Sequence, residues 1–332
     1  MEFCYESINS SCLKHMRSHN AKVLMYFFMT ITILFTICGN LLIIVSIVHF
    51  KQLHSPTNYL VLCLANVDLL LGAFVMPCSM VRSVETCWYF GEMFCKIHSS
   101  TDVMLSTASI LHIFCISIDR FYAICHPLKY NVKMNNQIVL WLTLTTWGTS
   151  ASLAFGMIFL ELNIHGIEYF YYEHIYCVGG CTVFLNRASA FGSSLISFYI
   201  PGFIMVGIYW KIYTVAKRQA ESIKCSQTGE NNSNRKLQKR EHKAAKTLGI
   251  VMCVFLICWF PFFLCNIVDP VLNYTIPPDI IDALVWFGYL NSALNPLIYA
   301  YFYSWFRNAL RVIVSGKILQ ANSSMFRLYK DG

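Results

Sequence analysis

Three acidic side chains and one arginine lie inside runs that are otherwise apolar. Asp68 sits in Leu64-Ala-Asn-Val-Asp68, Asp102 early in a long run, and Asp119 and Arg120 side by side at that run's end. Charges in a hydrocarbon environment are costly, and those that persist face an interior, pair with one another or mark a functional site. Asp102 and Arg120 are 18 residues apart, about 27 Å along a helix at 1.5 Å per residue. With Arg120 at one membrane boundary, Asp102 lies near the other, facing a cavity that opens outward. Ser106 follows one turn later on the same face. A carboxylate there can hold a cationic ligand through a charge-assisted hydrogen bond. The competing reading is a structural Asp paired within the bundle, and it lacks a Lys or Arg in the outer half of the neighbouring runs. Trp259, Phe262, Phe263 and Tyr289 lie in the outer parts of two later runs. They can stack on a ring or surround an ammonium, or serve only as core and lipid contacts. Ser193, Ser194 and Ser197 precede Pro201; small residues of this kind also serve helix packing.

Membrane-spanning helices must position these groups. The chain is 56% apolar and 13% charged over 332 residues, where a soluble domain carries about 25% charged residues. Seven stretches approach the ~20 mostly apolar residues that a spanning helix needs: 23–50, 58–81, 97–125, 138–162, 189–216, 246–266 and 281–303. The expected fold is an all-α seven-helix bundle in the lipid bilayer. The segments between runs at 51–57, 120–137 and 211–246, with the tail from 304, hold 19 of the 25 Lys and Arg. The positive-inside rule therefore places the tail in the cytoplasm and residues 1–22 outside. The first 22 residues are polar, with no apolar core of a cleavable signal, so the first span is expected to direct insertion. The sequons Asn9-Ser-Ser and Asn273-Tyr-Thr fall outside, with Asn9 the expected glycan acceptor. Asn231 and Asn322 match the same pattern inside.

Residues 23–303 are thus the seven-span membrane domain, with a polar, mobile inner loop at about 217–246. The tail at 304–332 begins with apolar positions 305, 306, 309, 310, 313 and 314. Their spacing predicts an amphipathic helix on the inner leaflet, with Arg307 and Arg311 on its other face. The basic residues cluster in short inner segments, so no nucleic-acid partner is expected. The bundle has no nucleophile–base set for an enzyme, no repeat halves or broken helices of a transporter, and no lysine in the seventh run to bind retinal.

The ordered motifs resemble those of rhodopsin-like G-protein-coupled receptors. They are Gly39-Asn40, Leu64-Ala-Asn-Val-Asp68, Asp119-Arg120-Phe121, Trp147, Pro201, Cys258-Trp-Phe-Pro261 and Asn295-Pro296-Leu-Ile-Tyr299. Within that class, the sixteen residues from Asn291 to Phe306 look like the seventh-helix fingerprint of the trace amine-associated receptors. The Phe3-Cys4-Tyr5 start is similar to that family too. The resemblance implies a plasma-membrane receptor, with an endoplasmic reticulum or endomembrane pool, for small cationic aromatic amines such as phenethylamine and tyramine. It implies signalling through a stimulatory heterotrimeric G protein to raise cyclic AMP. The alternative is a receptor of the wider biogenic-amine group with other preferences.

Several roles follow from the resemblance. Asp102 takes the ammonium, with Ser106, Ser197, Trp259, Phe262, Phe263 and Tyr289 around the ligand. Asp68, Ser109, Asn291 and Ser292 surround an allosteric sodium ion, although a hydrated Asp68 without ion fits the residues equally; no other cofactor is implied. Arg120 pairs with Asp119 and Glu241 at rest, and Tyr209 and Tyr299 receive it on activation, with Pro261, Asn295 and Pro296 completing the switch. Cys95 bonds Cys181, and Cys4 bonds Cys177, with Cys12 the rival for Cys177 and no role for Cys87.

Overall fold

The computed structural model describes residues 2–8, 10–225 and 232–328, with backbone alone for 219–225, 232–246 and 248. Asn9 and the Glu241 side chain lie outside the described residues. The bundle consists of α1 (His19–His49), α2 (Pro56–Glu85), α3 (Glu92–Cys125), α4 (Asn136–Phe159), α5 (Arg187–Arg218), α6 (Asn232–Val271) and α7 (Pro278–Phe302). Among the described residues, six helices are long and apolar enough to cross a membrane. The remaining one, α7, is 25 residues long. Asn291, Ser292 and Asn295 dilute its apolar character, and all three are buried. Its polarity is therefore turned to the bundle interior, where hydrogen bonds satisfy it, rather than to lipid. Large apolar residues such as Phe28, Phe35, Trp141, Phe203 and Trp210 cover the outside.

Local chemistry starts several helices. Ser18, Ser55, Asn135 and Asn186 each accept a hydrogen bond from the amide three residues on, capping α1, α2, α4 and α5. Pro56 and Pro278 open α2 and α7, where a missing N–H costs nothing. Both α2 and α5 widen into a π turn, at Leu71–Val75 and Leu195–Tyr199. Each turn ends two residues before a proline, Pro77 or Pro201. A proline cannot donate to the carbonyl four residues back, and its ring needs space there. Gly39 on α1 lies so close to α7 that a Cβ would stand 2.7 Å from the Pro296 ring, while Asn40 donates to the Ser292 carbonyl at 3.1 Å.

At the inner loop, backbone helix runs on to Cys225 and resumes at Asn232, so much of 217–246 is helical. Lys, Arg, Gln, Leu and Ala in 235–246 are strong helix formers whatever their polarity. After α7, the amphipathic α8 (Ser304–Val314) buries Trp305, Phe306 and Ala309. The tail then folds back under α1: Leu328 is buried, Asn308 donates to its carbonyl at 2.7 Å, and its amide donates to Gln52 at 3.0 Å.

The outer face is tied by three disulfides. Cys95–Cys181 joins α3 to the loop between α4 and α5. The other two correct the sequence expectation. Cys177 bonds Cys12, not Cys4, and Cys4 bonds Cys87, at the turn between α2 and α3. The physical reason is a small hairpin in the N-terminus. Strand β1 (Glu2–Phe3) pairs antiparallel with β2 (Leu13–Lys14), and the Cys4 amide donates to the Cys12 carbonyl at 2.9 Å. Ser11 bridges in parallel to Val178, and the Cys12 amide donates to the Val178 carbonyl at 2.9 Å. That places Cys12 beside Cys177 and leaves Cys4 facing Cys87.

Candidate ligand site and inner switch

Asp102 is half-buried on α3, one turn above the buried Ser106. Ser106 donates to its Oδ1 at 3.3 Å. Tyr289, buried on α7, donates to its Oδ2 at 2.7 Å. Having given its one proton to Asp102, the Tyr289 oxygen accepts from Ser79 on α2 at 3.4 Å, and Ser79 in turn lies 3.4 Å from His98 Nε2. Two helices therefore donate to one carboxylate, and α2 joins the network through Tyr289. No ion pair of Asp102 is formed among the described residues. Lys96, the nearest base in sequence, pairs with Glu161 at 3.0 Å, and Arg82 is engaged with Asp282 at 3.6 Å and with the Cys181 carbonyl at 3.3 Å. The carboxylate thus has two neutral donors and spare lone pairs, which suits it to accept a cation's hydrogen bonds.

An aromatic cluster joins α6 to α5 and α7. Trp259 lies 5.9 Å from both Phe262 and Phe263, centroid to centroid. Phe263 stacks on Phe198 of α5 at 4.6 Å with planes 9° apart. Phe198 was not among the sequence candidates; the π turn at Leu195–Tyr199 delivers it inward, and only Pro201 hinted at such a distortion. Gly288 on α7 makes room for the indole: a Cβ there would stand 2.7 Å from the Trp259 ring. Ser197 is buried and accepts from Thr107 on α3 at 3.3 Å. Ser194 instead accepts from Asn266 on α6 at 2.9 Å, and Ser193 returns to its own helix at the Ala190 carbonyl.

Lower in the bundle Asp68 is fully buried. Ser109 and Ser292 donate to its Oδ1 at 2.9 and 2.8 Å, and Asn295 donates to Oδ2 at 2.9 Å. The expected set is therefore altered: Asn295 bonds Asp68 directly. Asn291 is buried with no protein partner for either amide atom, and the Asn295 Oδ1 is likewise unpartnered. A carboxylate with nearby hydroxyl and amide oxygens is a hard, oxygen-only donor set. Among the described residues no cluster of three His, Cys, Asp or Glu side chains is gathered for a metal.

At the inner end Arg120 turns back on Asp119, with Nε 2.8 Å from Oδ2. Arg120 also donates to Thr57. Thr57 and Tyr130 donate to Asp119 at 2.8 and 2.9 Å. Tyr130 comes from a short helix, Pro127–Lys133, in the second inner loop. Thr57 and Tyr130 carried no sequence signal, because nothing in their own segments points to a distant carboxylate. No described hydrogen bond joins Arg120 to Tyr209 or Tyr299. Tyr209 lies against Gly249 of α6, and Tyr299 is buried 5.6 Å from the Tyr303 ring. Pro261 and Pro296 interrupt α6 and α7.

Residues 39–299 match the family described as 7 transmembrane receptor (rhodopsin family). Trace amine-associated receptor 1 of Macaca mulatta is 55% identical, covering 100% of this chain and 99% of the relative. The chain belongs to the trace amine-associated branch of the rhodopsin-family receptors. Trace amine-associated receptor 1 of Homo sapiens is 54% identical over the same shares, and trace amine-associated receptor 4 of Mus musculus is 45% identical over 99% of this chain and 96% of that one. The protein is accordingly a multi-pass plasma-membrane receptor that works through a G protein, and not an enzyme.

Proposed function

We propose that this receptor responds to small primary aromatic amines, with phenethylamine and tyramine as prototypes, and couples to the stimulatory G protein to raise cyclic AMP. The observation that carries the reading is Asp102: an acid without an ion-pair partner among the described residues, held by Tyr289 and Ser106, in a bundle that also packs Trp259, Phe262 and Phe263 together. The ligand ammonium donates to the free lone pairs of Asp102, and its ring lies against the indole and phenyl faces. A phenol at the far end of tyramine reaches toward Ser197, whose hydroxyl exchanges its Thr107 partner for the ligand. The names of the relatives support the amine class.

At the inner end, agonist shifts the population from the closed Arg120–Asp119–Thr57 cluster toward a state that admits the G protein. Glu241 holds Arg120 in the resting state, and Tyr209 and Tyr299 receive it in the active one. Asp68, Ser109, Ser292 and Asn295, with the amide oxygen of Asn291, would hold a sodium ion that favours rest. Asn9 carries a glycan.

Cyclic AMP in cells expressing the chain, titrated with phenethylamine, tests the reading beside Asp102→Ala at matched surface level. A dose-dependent rise lost in the variant supports ligand class, coupling and anchor together. A rise that survives removes Asp102 from its role. Silence at confirmed surface expression points to the wider biogenic-amine alternative, with another ligand or G protein.

A further inference from the structure

Outside the bundle, a second concavity lies between the outer ends of α3 and α4 and the loop joining α4 to α5. Its volume is about 100 Å³, room for a compact cation together with a few waters. Tyr171, Tyr172 and Tyr176 line it together with Glu92 and Glu161. The three rings pack on one another, with centroids 5.2 Å apart for Tyr171–Tyr172, 5.6 Å for Tyr172–Tyr176 and 6.2 Å for Tyr171–Tyr176.

The charge of this lining is acidic. Its one base, Lys96, is 3.0 Å from Glu161. Glu92 accepts from the Tyr176 hydroxyl at 3.3 Å and forms no ion pair among the described residues. Burial, then the Glu92 carboxylate, pushes the Tyr176 phenol up. The same negative field acts on Tyr171, where burial is again the leading cause. Lys96, one turn from Glu92, is shared between the Glu92 and Glu161 carboxylates, so the lining keeps one negative charge in excess; aromatic rings beside such an excess are surroundings that attract a compact organic cation. The Cys95 and Cys181 residues of the α3 disulfide also line it, and Asp102 is not among its lining residues.

We propose that Glu92, Tyr171, Tyr172 and Tyr176 form a second, external binding site for small organic ammonium ions, distinct from the Asp102 site. The carboxylate supplies the counter-charge and the tyrosine rings the cage. The site does not depend on the amine-receptor reading, because its residues touch none of the Asp102 set.

The test uses the full-length receptor in lipid nanodiscs with Asp102→Ala in the background, so that the inner anchor is absent. Saturation-transfer NMR follows tetramethylammonium chloride against matched sodium chloride. Saturable binding is expected, and adding Glu92→Gln is expected to raise the half-saturating concentration about fivefold, the scale of losing one partly exposed charge contact. Tyr176→Ala should weaken binding similarly, whereas Tyr176→Phe, which keeps the ring, should retain most of it. Thermal unfolding of each variant checks that the outer loop is intact. Transfer that never saturates, or half-saturation unmoved by both Glu92→Gln and Tyr176→Ala, overturns the proposal.

Discussion

Asp68 and Asp102 are both carboxylates inside the same helix bundle, yet their surroundings make them opposites. Asp68 is fully buried, and three donors from α3 and α7 converge on it. Asp102 is half-buried, takes two neutral donors and has spare acceptor capacity. A carboxylate ringed by protein donors belongs to the framework and changes only when the helices move. One left short of donors has its remaining hydrogen bonds supplied by whatever binds. The difference lies in the neighbours, not in the residue type.

Asp68→Ala should produce the largest effect. It strands the Ser109, Ser292 and Asn295 donors in the core, at about 1–3 kcal/mol for each unsatisfied group. A clear fall in the melting temperature of the purified receptor is expected, and an unchanged melt would mean that Asp68 is not a framework residue. Asp102→Ala should leave the melt nearly intact but lower phenethylamine potency about a hundredfold, the upper range for a hydrogen bond to a charged group. If both variants shift melt and potency alike, the contrast between the two acids collapses. Tyr289→Phe should cost roughly 1 kcal/mol, near fivefold in potency, by freeing Asp102 from one orienting donor. A gain in potency would show instead that Tyr289 competes with the ligand. Ser197→Ala should be smallest, about threefold for tyramine and nothing for phenethylamine, since one neutral hydrogen bond at stake is worth under ~1 kcal/mol. Equal losses for both amines would assign Ser197 to α3–α5 packing through Thr107.

The sequence exposed the bundle well because lipid demands long apolar runs and loops carry the charge. Even α7, the most polar spanning helix, could be found from Ile281 to Tyr303. The inward extension of α6 could not, since Lys, Arg and Gln look alike in a loop and in an exposed helix. Asp68, Asp102 and Arg120 stood out as charges against an apolar background. Their partners were harder. Asn291 and Asn295 lie one turn apart on the same face, so spacing alone does not say which reaches Asp68. Thr57 and Tyr130 meet Asp119 only through the tertiary fold. Phe198 resembles the lipid-facing Phe203 until the π turn before Pro201 rotates it inward. The cysteines were the clearest miss. Cys4 and Cys12 are equivalent by composition, and only the β1–β2 hairpin decides that Cys12 meets Cys177 while Cys4 meets Cys87.

That pairing has a consequence for how the protein is made. Cys87 is 83 residues beyond Cys4, whereas Cys177 is 165 residues beyond Cys12. At about 5–20 residues per second of synthesis, Cys12 waits roughly 8–33 s in the oxidising lumen before its partner has been translated. During that interval Cys4 and Cys12 are neighbours and can close on each other. The N-terminus is translated before either of its partner cysteines, so any early Cys4–Cys12 bond would have to be reopened by thiol–disulfide exchange before the native pairs close.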